Sequence, residues 1–148
     1  MVGNNYGGYK SFALRPKTPK ERVAFIEWIL TESDFAGKIA VLSIDGVADL
    51  IEDVNDLKSS NEITQKLMTW SNDYNIAIIT ILHKNFDSAK PTGHLGSAVL
   101  KKAETTVFVT KEDDIVTVNA KYSRNIPFDD FKFSVDEKGI PFEAEKPF

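Results

Sequence analysis

Two apolar runs constrain this chain more than anything else in it: "KIAVLSID" at 38–45 and "IAIITILH" at 76–83. Each is nearly continuous in Val, Ile, Leu and Ala, the pattern of a strand buried on both faces. Between them, "SSNEITQKLMTWSNDYN" (59–75) carries apolar residues at helical spacing, with Ile63, Leu67, Met68 and Trp70 on its buried side. Strand, helix and strand in that order predict an α/β fold with parallel-type strands.

The flanking segments extend this pattern. "SFALRP" (11–16) reads as a short strand ended by Pro16. In "TPKERVAFIEWILTES", Thr18 is a helix N-cap, Pro19 the first helical residue and Glu21 the partner in a capping box. Val23, Ile26, Trp28, Ile29 and Leu30 supply that helix's apolar stripe. "VADLIEDVND" (47–56) is an acidic short helix or loop, and 84–96 is a long polar loop. "SAVLKKAE" (97–104) predicts a short helix and "TTVFVTKE" (105–112) a third strand. Beyond it, "DIVTVNAKYSR" (114–124) and "FDDFKFSVDEKGIPFE" (128–143) alternate apolar and polar residues and turn at Lys138-Gly139. That is the pattern of antiparallel hairpins with one solvated face.

Composition narrows the chemistry. The chain has 148 residues, enough for one domain with one core, and its first ten residues read as a flexible polar leader before a single domain at 11–148. A net charge of −4 argues against nucleic-acid binding through overall charge, while leaving room for a local basic patch. The absence of cysteine excludes disulfides, thiolate metal sites and cysteine nucleophiles. Two histidines without suitably spaced carboxylates make a zinc site a poor reading. No run approaches the ~20 apolar residues of a membrane helix, and no signal-peptide core is present. A cytoplasmic location is the expectation.

Asp45 closes the first apolar run and His83 the second. In open parallel sheets ligands bind at the carboxyl ends of the strands, so both residues are expected on one rim. There Asp45 suits a magnesium ion, directly or through water. His83 suits a phosphate or a polarised water. The same Asp-Gly pattern also serves as an N-cap and turn, and a strand-end histidine is often structural. A metal-dependent hydrolase using Asp45, Asp49 and His83 is a third reading. The run Glu52, Asp53 and Asp56 reads better as a solvated face. A phosphate-cradling loop G-x-x-x-x-G-K-[ST] is absent: the only Gly-Lys pair, Gly37-Lys38, has Glu32 in place of the first Gly and Ile39 after it.

The order of "VLSIDGVADL", "NEITQKLMTWSNDYNIAIITILHKN", "GHLGSAVLKKAETTVFVTKE" and "VNAKYSRNIPFDDFKFSVDEKGIPFE" resembles the C-terminal half of a RecA-type ATPase core. The likeness is to the RepA/DnaB-like replication ATPases and the related AAA-type ATPases of mobile elements, and it covers roughly 38–143. The resemblance implies a partial RecA-like three-layer α/β core with mostly parallel central strands and a C-terminal antiparallel hairpin extension. It implies Asp45 as the Walker B aspartate and His83 as the position coupling the γ-phosphate to a DNA-binding loop. Lys84, Asn85 and Lys90 fall in that loop. Gly96, Ser97 and Leu100 match a small-residue helix start able to meet an anion. Lys121 and Arg124 match the basic pair that reaches a neighbouring subunit's nucleotide as an arginine finger, although spaced Lys-Tyr-Ser-Arg rather than K-x-R.

ATP and Mg2+ are thus the cofactors implied for an intact parent, with DNA, a further copy of the chain and the missing N-terminal half of the core as partners. The expectation is a catalytically incomplete fragment of a DNA-associated ATPase that binds neither cofactor tightly alone. Its open strand edges are expected to repack or self-associate. The alternative is a non-catalytic α/β assembly module in which Asp45 and His83 are structural.

Overall fold

The computed structural model describes residues 8–83 and 93–144. The chain divides into two compact units, residues 1–98 and 99–148. The first contains helix α1 (Pro19–Thr31), strand β1 (Val41–Ile44), a 3-10 helix (Val47–Leu50), helix α2 (Leu57–Asp73) and strand β2 (Ala77–Thr80). Helix α3 (Gly93–Lys102) crosses the boundary, and β3 (Thr105–Glu112), β4 (Ile115–Ser123), β5 (Phe131–Val135) and β6 (Pro141–Glu143) follow it.

Helix α1 begins as its sequence dictates. Glu21 N–H donates to the Thr18 hydroxyl at 3.3 Å, and Thr18 N–H donates to the Glu21 carboxylate at 2.8 Å. Ile26, Ile29 and Leu30 are buried, but Trp28 is 46% exposed. Trp28 lies about 200° round the helix from Ile26, outside the core stripe. The predicted strand at 11–16 does not form. Its backbone is held instead by the Arg22 side chain, which donates to the carbonyls of Leu14 and Arg15, each at 3.1 Å, and of Asp49 at 2.6 Å.

Helix α2 starts at Asp56, whose carboxylate accepts from Ser59 N–H at 2.7 Å. It buries Ser60, Ile63, Thr64, Leu67 and Trp70. Met68 sits about 100° past Leu67 and is exposed rather than buried. Lys66 donates to Glu27 at 2.5 Å, linking α2 to α1.

β1 and β2 pair in parallel with Val41 opposite Ala77 and Ile44 opposite Thr80. Burial on both faces is not observed: Ile44 is buried, while Val41 is 54% and Ile79 57% exposed. Helix α2 packs on β2, and the alternate residues of both strands point to a face that no described element of this unit covers.

The second unit corrects a further expectation. β3 does not extend the parallel pair; it belongs to an antiparallel sheet of order β3-β4-β5-β6. The cause is local. Glu112 faces Ile115 across a two-residue turn, and Asp113 takes φ 51°, a left-handed conformation that Asp tolerates better than most residues. A hairpin closed so tightly makes β4 the natural partner of β3. The Lys138-Gly139 turn forms as read, with Gly139 at φ 81°. No helix among the described residues is long and apolar enough to cross a membrane.

Candidate functional site

The rim of the parallel pair is built by two backbone bonds. Ile81 N–H donates to Ile44 O at 3.2 Å, one step past the last strand pair, and Val47 N–H donates to Ile81 O at 3.3 Å. The chain therefore turns sharply at Asp45-Gly46 directly over the end of β2. Gly46 is needed for this: a Cβ there would lie 3.1 Å from the Ile81 carbonyl. Val47, fully buried, anchors the 3-10 helix that follows. Thr80 Oγ1 donates to Ile44 O at 3.3 Å, tying the two strand ends together.

Asp45 is exposed at this rim. It does not cap the following helix: the N-cap is Gly46, with no side-chain cap bond. Among the described residues no hydrogen bond or ion pair engages its carboxylate. His83 lies three residues beyond the end of β2 rather than at it, and is exposed. Asp49 is turned to another task, with its carboxylate 3.9 Å from the Arg22 guanidinium that also bonds its carbonyl. Among the described residues no three His, Asp or Glu side chains form a metal-binding group. The donor set thus fits Mg2+ only in its usual nucleotide-bound form, with one carboxylate, waters and phosphate oxygens. It does not fit a metal held by protein alone.

Lys84, Asn85 and Lys90 lie outside the described residues. Gly96 and Ser97 sit inside α3, not at its start, because the helix begins at Gly93. Ser97 Oγ donates to Gly93 O at 3.4 Å. The first turn is seated on the loop before α2: Leu95 N–H donates to Val54 O at 3.0 Å, and Leu95 is fully buried.

Lys121 and Arg124 belong to the second unit. The ladder skips Lys121, since Tyr122 faces Thr106 and Ala120 faces Val107. This bulge frees its backbone from the pairing, and the ammonium lies 5.8 Å from the Phe108 ring centre. Arg124 is committed elsewhere. Its guanidinium donates to Lys101 O at 2.9 Å and to Ala103 O at 3.3 Å, capping the end of α3. A shallow cleft of about 260 Å³ opens beside it, lined by Leu100, Glu104 and Tyr122 among others.

Sequence reading did not single out Arg22, which organises the approach to the site by bonding three carbonyls from two segments. A lone arginine in an amphipathic helix carries no signal of that role.

The architecture is that of a RecA-like ATPase-related fold, with a parallel pair leading to an acidic rim in one unit and an antiparallel sheet in the other. Among solved structures it is similar to the ATPase domain of a DnaB-like helicase, with a TM-score of 0.60 at 14% identity. The match covers 86% of this chain and 52% of that one, so the chain spans about half the length of the domain it resembles. No protein-family model matches the sequence, and no curated protein matches it.

Proposed function

We propose that these residues form the magnesium-side part of a RecA-like nucleotide site in a DNA-associated ATPase, with Asp45 as the Mg2+ ligand. One observation carries the reading: an exposed carboxylate, engaged by no described side chain, sits at the carboxyl rim of a parallel pair in a RecA-related fold. Bound there, Mg2+ would neutralise charge on the nucleotide phosphates. Asp45 orients the ion, and His83 senses the terminal phosphate and passes its state to the 84–93 loop, where Lys84, Asn85 and Lys90 meet DNA. Lys121, with its ammonium not tied to carbonyls, is the better candidate for a charge supplied in trans to a neighbouring copy; the Arg124 bonds to α3 argue against that residue. The 148 residues contain no G-x-x-x-x-G-K-[ST], so turnover requires a phosphate-binding loop from elsewhere.

The test is a titration of the purified chain with Mn2+ and ATP, followed by paramagnetic broadening of backbone amide signals. Broadening centred on residues 44–47 and 81–83, weak in affinity and lost in Asp45→Asn, is expected. Steady-state ATP hydrolysis should be undetectable. Tight metal-dependent ATP binding would overturn the missing-cradle argument, and broadening unaffected by Asp45→Asn would remove Asp45 from the site.

A second reading, a non-catalytic assembly module, has its own observation in the exposed Val41, Ile79 and Ile81 of the β1–β2 pair. It predicts a stable homo- or hetero-complex indifferent to Asp45→Asn.

A further inference from the structure

The sequence is acidic overall, yet residues 8–20 contain Lys10, Arg15, Lys17 and Lys20 and no carboxylate. All four cations are exposed. Aromatic rings are interleaved with them. Tyr9 is 63% and Phe12 47% exposed, and Trp28 of α1 presents its half-exposed ring on the same unit. The rings are organised rather than loose. Phe12 meets Phe25 edge-on at 5.2 Å and Phe35 at 6.3 Å, and Phe25 lies 5.8 Å from Trp28. The segment has no strand or helix of its own until Pro19, but Arg22 clamps its backbone at Leu14 and Arg15. A surface fixed in this way loses little conformational freedom on binding.

We infer that the segment from Tyr9 to Lys20, with the aromatic edge of α1, is a binding surface for single-stranded nucleic acid. Half-exposed rings offer faces on which unpaired bases stack, and cations spaced two to five residues apart along an extended backbone match a run of phosphates. A duplex satisfies only the second half of that chemistry, because its bases are already stacked. An acidic peptide likewise uses the cations and leaves the rings idle. The acids nearby set the limits of the surface. Glu21 is occupied by Thr18 and Lys17, whereas Glu32 and Asp34 are exposed beyond Trp28 and repel a polyanion there. The strand therefore follows residues 9–20 and ends at Trp28. Lys17 is paired with Glu21 at 3.4 Å, which leaves Lys10, Arg15 and Lys20 with no partner among the described residues. This surface stands on its own chemistry and does not depend on the nucleotide site.

The two tryptophans make the test direct, since Trp28 is half-exposed while Trp70 is 4% exposed in the core. The full chain is titrated with a labelled 20-residue oligothymidylate at low salt, with intrinsic fluorescence and anisotropy read together. Saturable binding with quenching is expected, and its logarithmic salt slope should lie at about −2 to −3 for three or four phosphates. Trp28→Phe should abolish most of the quenching while anisotropy still reports binding. Phe12→Ala should weaken binding at least fivefold. Lys10→Glu with Lys20→Glu, both exposed, should weaken it further and flatten the salt slope. Absence of binding overturns the inference, as does equal affinity for a duplex or equal competition by polyglutamate. Binding untouched by both the Phe12 and the double lysine variants overturns it too. No step of the experiment uses ATP, so its failure leaves the nucleotide reading intact.

Discussion

The Arg124 guanidinium donates to the Lys101 carbonyl at 2.9 Å and so fastens the end of β4 to the last turn of α3. Carbonyls at a helix C-terminus lack partners within the helix, and a cation there satisfies them and opposes the helix dipole. Arg124→Ala should destabilise this unit by about 1 kcal/mol, the scale of a partly exposed charge-assisted bond. Arg124→Lys should recover only part of it, because the fork that reaches two carbonyls is lost. Denaturant unfolding measures the first effect. Hydrogen exchange at Ala103 and Glu104 distinguishes local fraying from global loss.

Gly93 opens α3 at φ 68°, where a Cβ would meet the Val54 carbonyl at 2.5 Å and Asn55 Oδ1 at 2.9 Å. Both backbone conformation and space forbid a side chain. Gly93→Ala should cost about 2 kcal/mol or more and expose Leu95. Thermal unfolding gives the cost, and a small-molecule hydrophobic dye reports the exposure.

The capping box of α1 should show in both mutation and pH. Thr18→Ala should cost about 1 kcal/mol in denaturant unfolding. Glu21 is held below the usual carboxylate range, chiefly by the Thr18 amide, then by its hydroxyl and by Lys17. Asp56 is lowered in the same way by the Ser59 side chain and amide. A depressed folded-state value means stabilisation fully present above the unfolded pKa and lost as the pH falls through the folded one. Stability should therefore be flat in this respect near neutrality and decline below the ordinary carboxylate range. Thr18→Ala should make that decline shallower.

The exposed face of β1 and β2 should drive association. Concentration-dependent self-association is expected in sedimentation velocity, and Ile79→Lys should weaken it. Since Ile79 is 57% exposed, the same change should move folding stability by no more than about 0.5 kcal/mol.

Local signals were legible where the chain decides its own geometry. The Thr18-Pro19-Glu21 cap, the Asp-Gly step after β1, the α2 stripe through Ile63 and Leu67, and the Lys138-Gly139 turn all follow from neighbours a few residues apart. Legibility failed where a distant group settles the matter. Residues 11–16 look like a strand but are held by Arg22. Trp28 and Met68 look like core but fall just outside the buried arc. The start of α3 moved to Gly93 because the Val54 carbonyl receives its first turn.

The candidate site divides along the same line. That Asp45 ends an apolar strand, and that no phosphate-cradling loop accompanies it, are facts of the sequence alone. Hydrogen bonds between strands 36 residues apart decided that Asp45 stands exposed on a rim, does not cap the next helix and has no engaged partner among the described residues. Register across a parallel pair is a property of two segments, and only their pairing defines it. The fate of β3 has the same cause. Its own residues permit either kind of sheet, and a two-residue turn through Asp113 bound it to β4 before any parallel neighbour was needed.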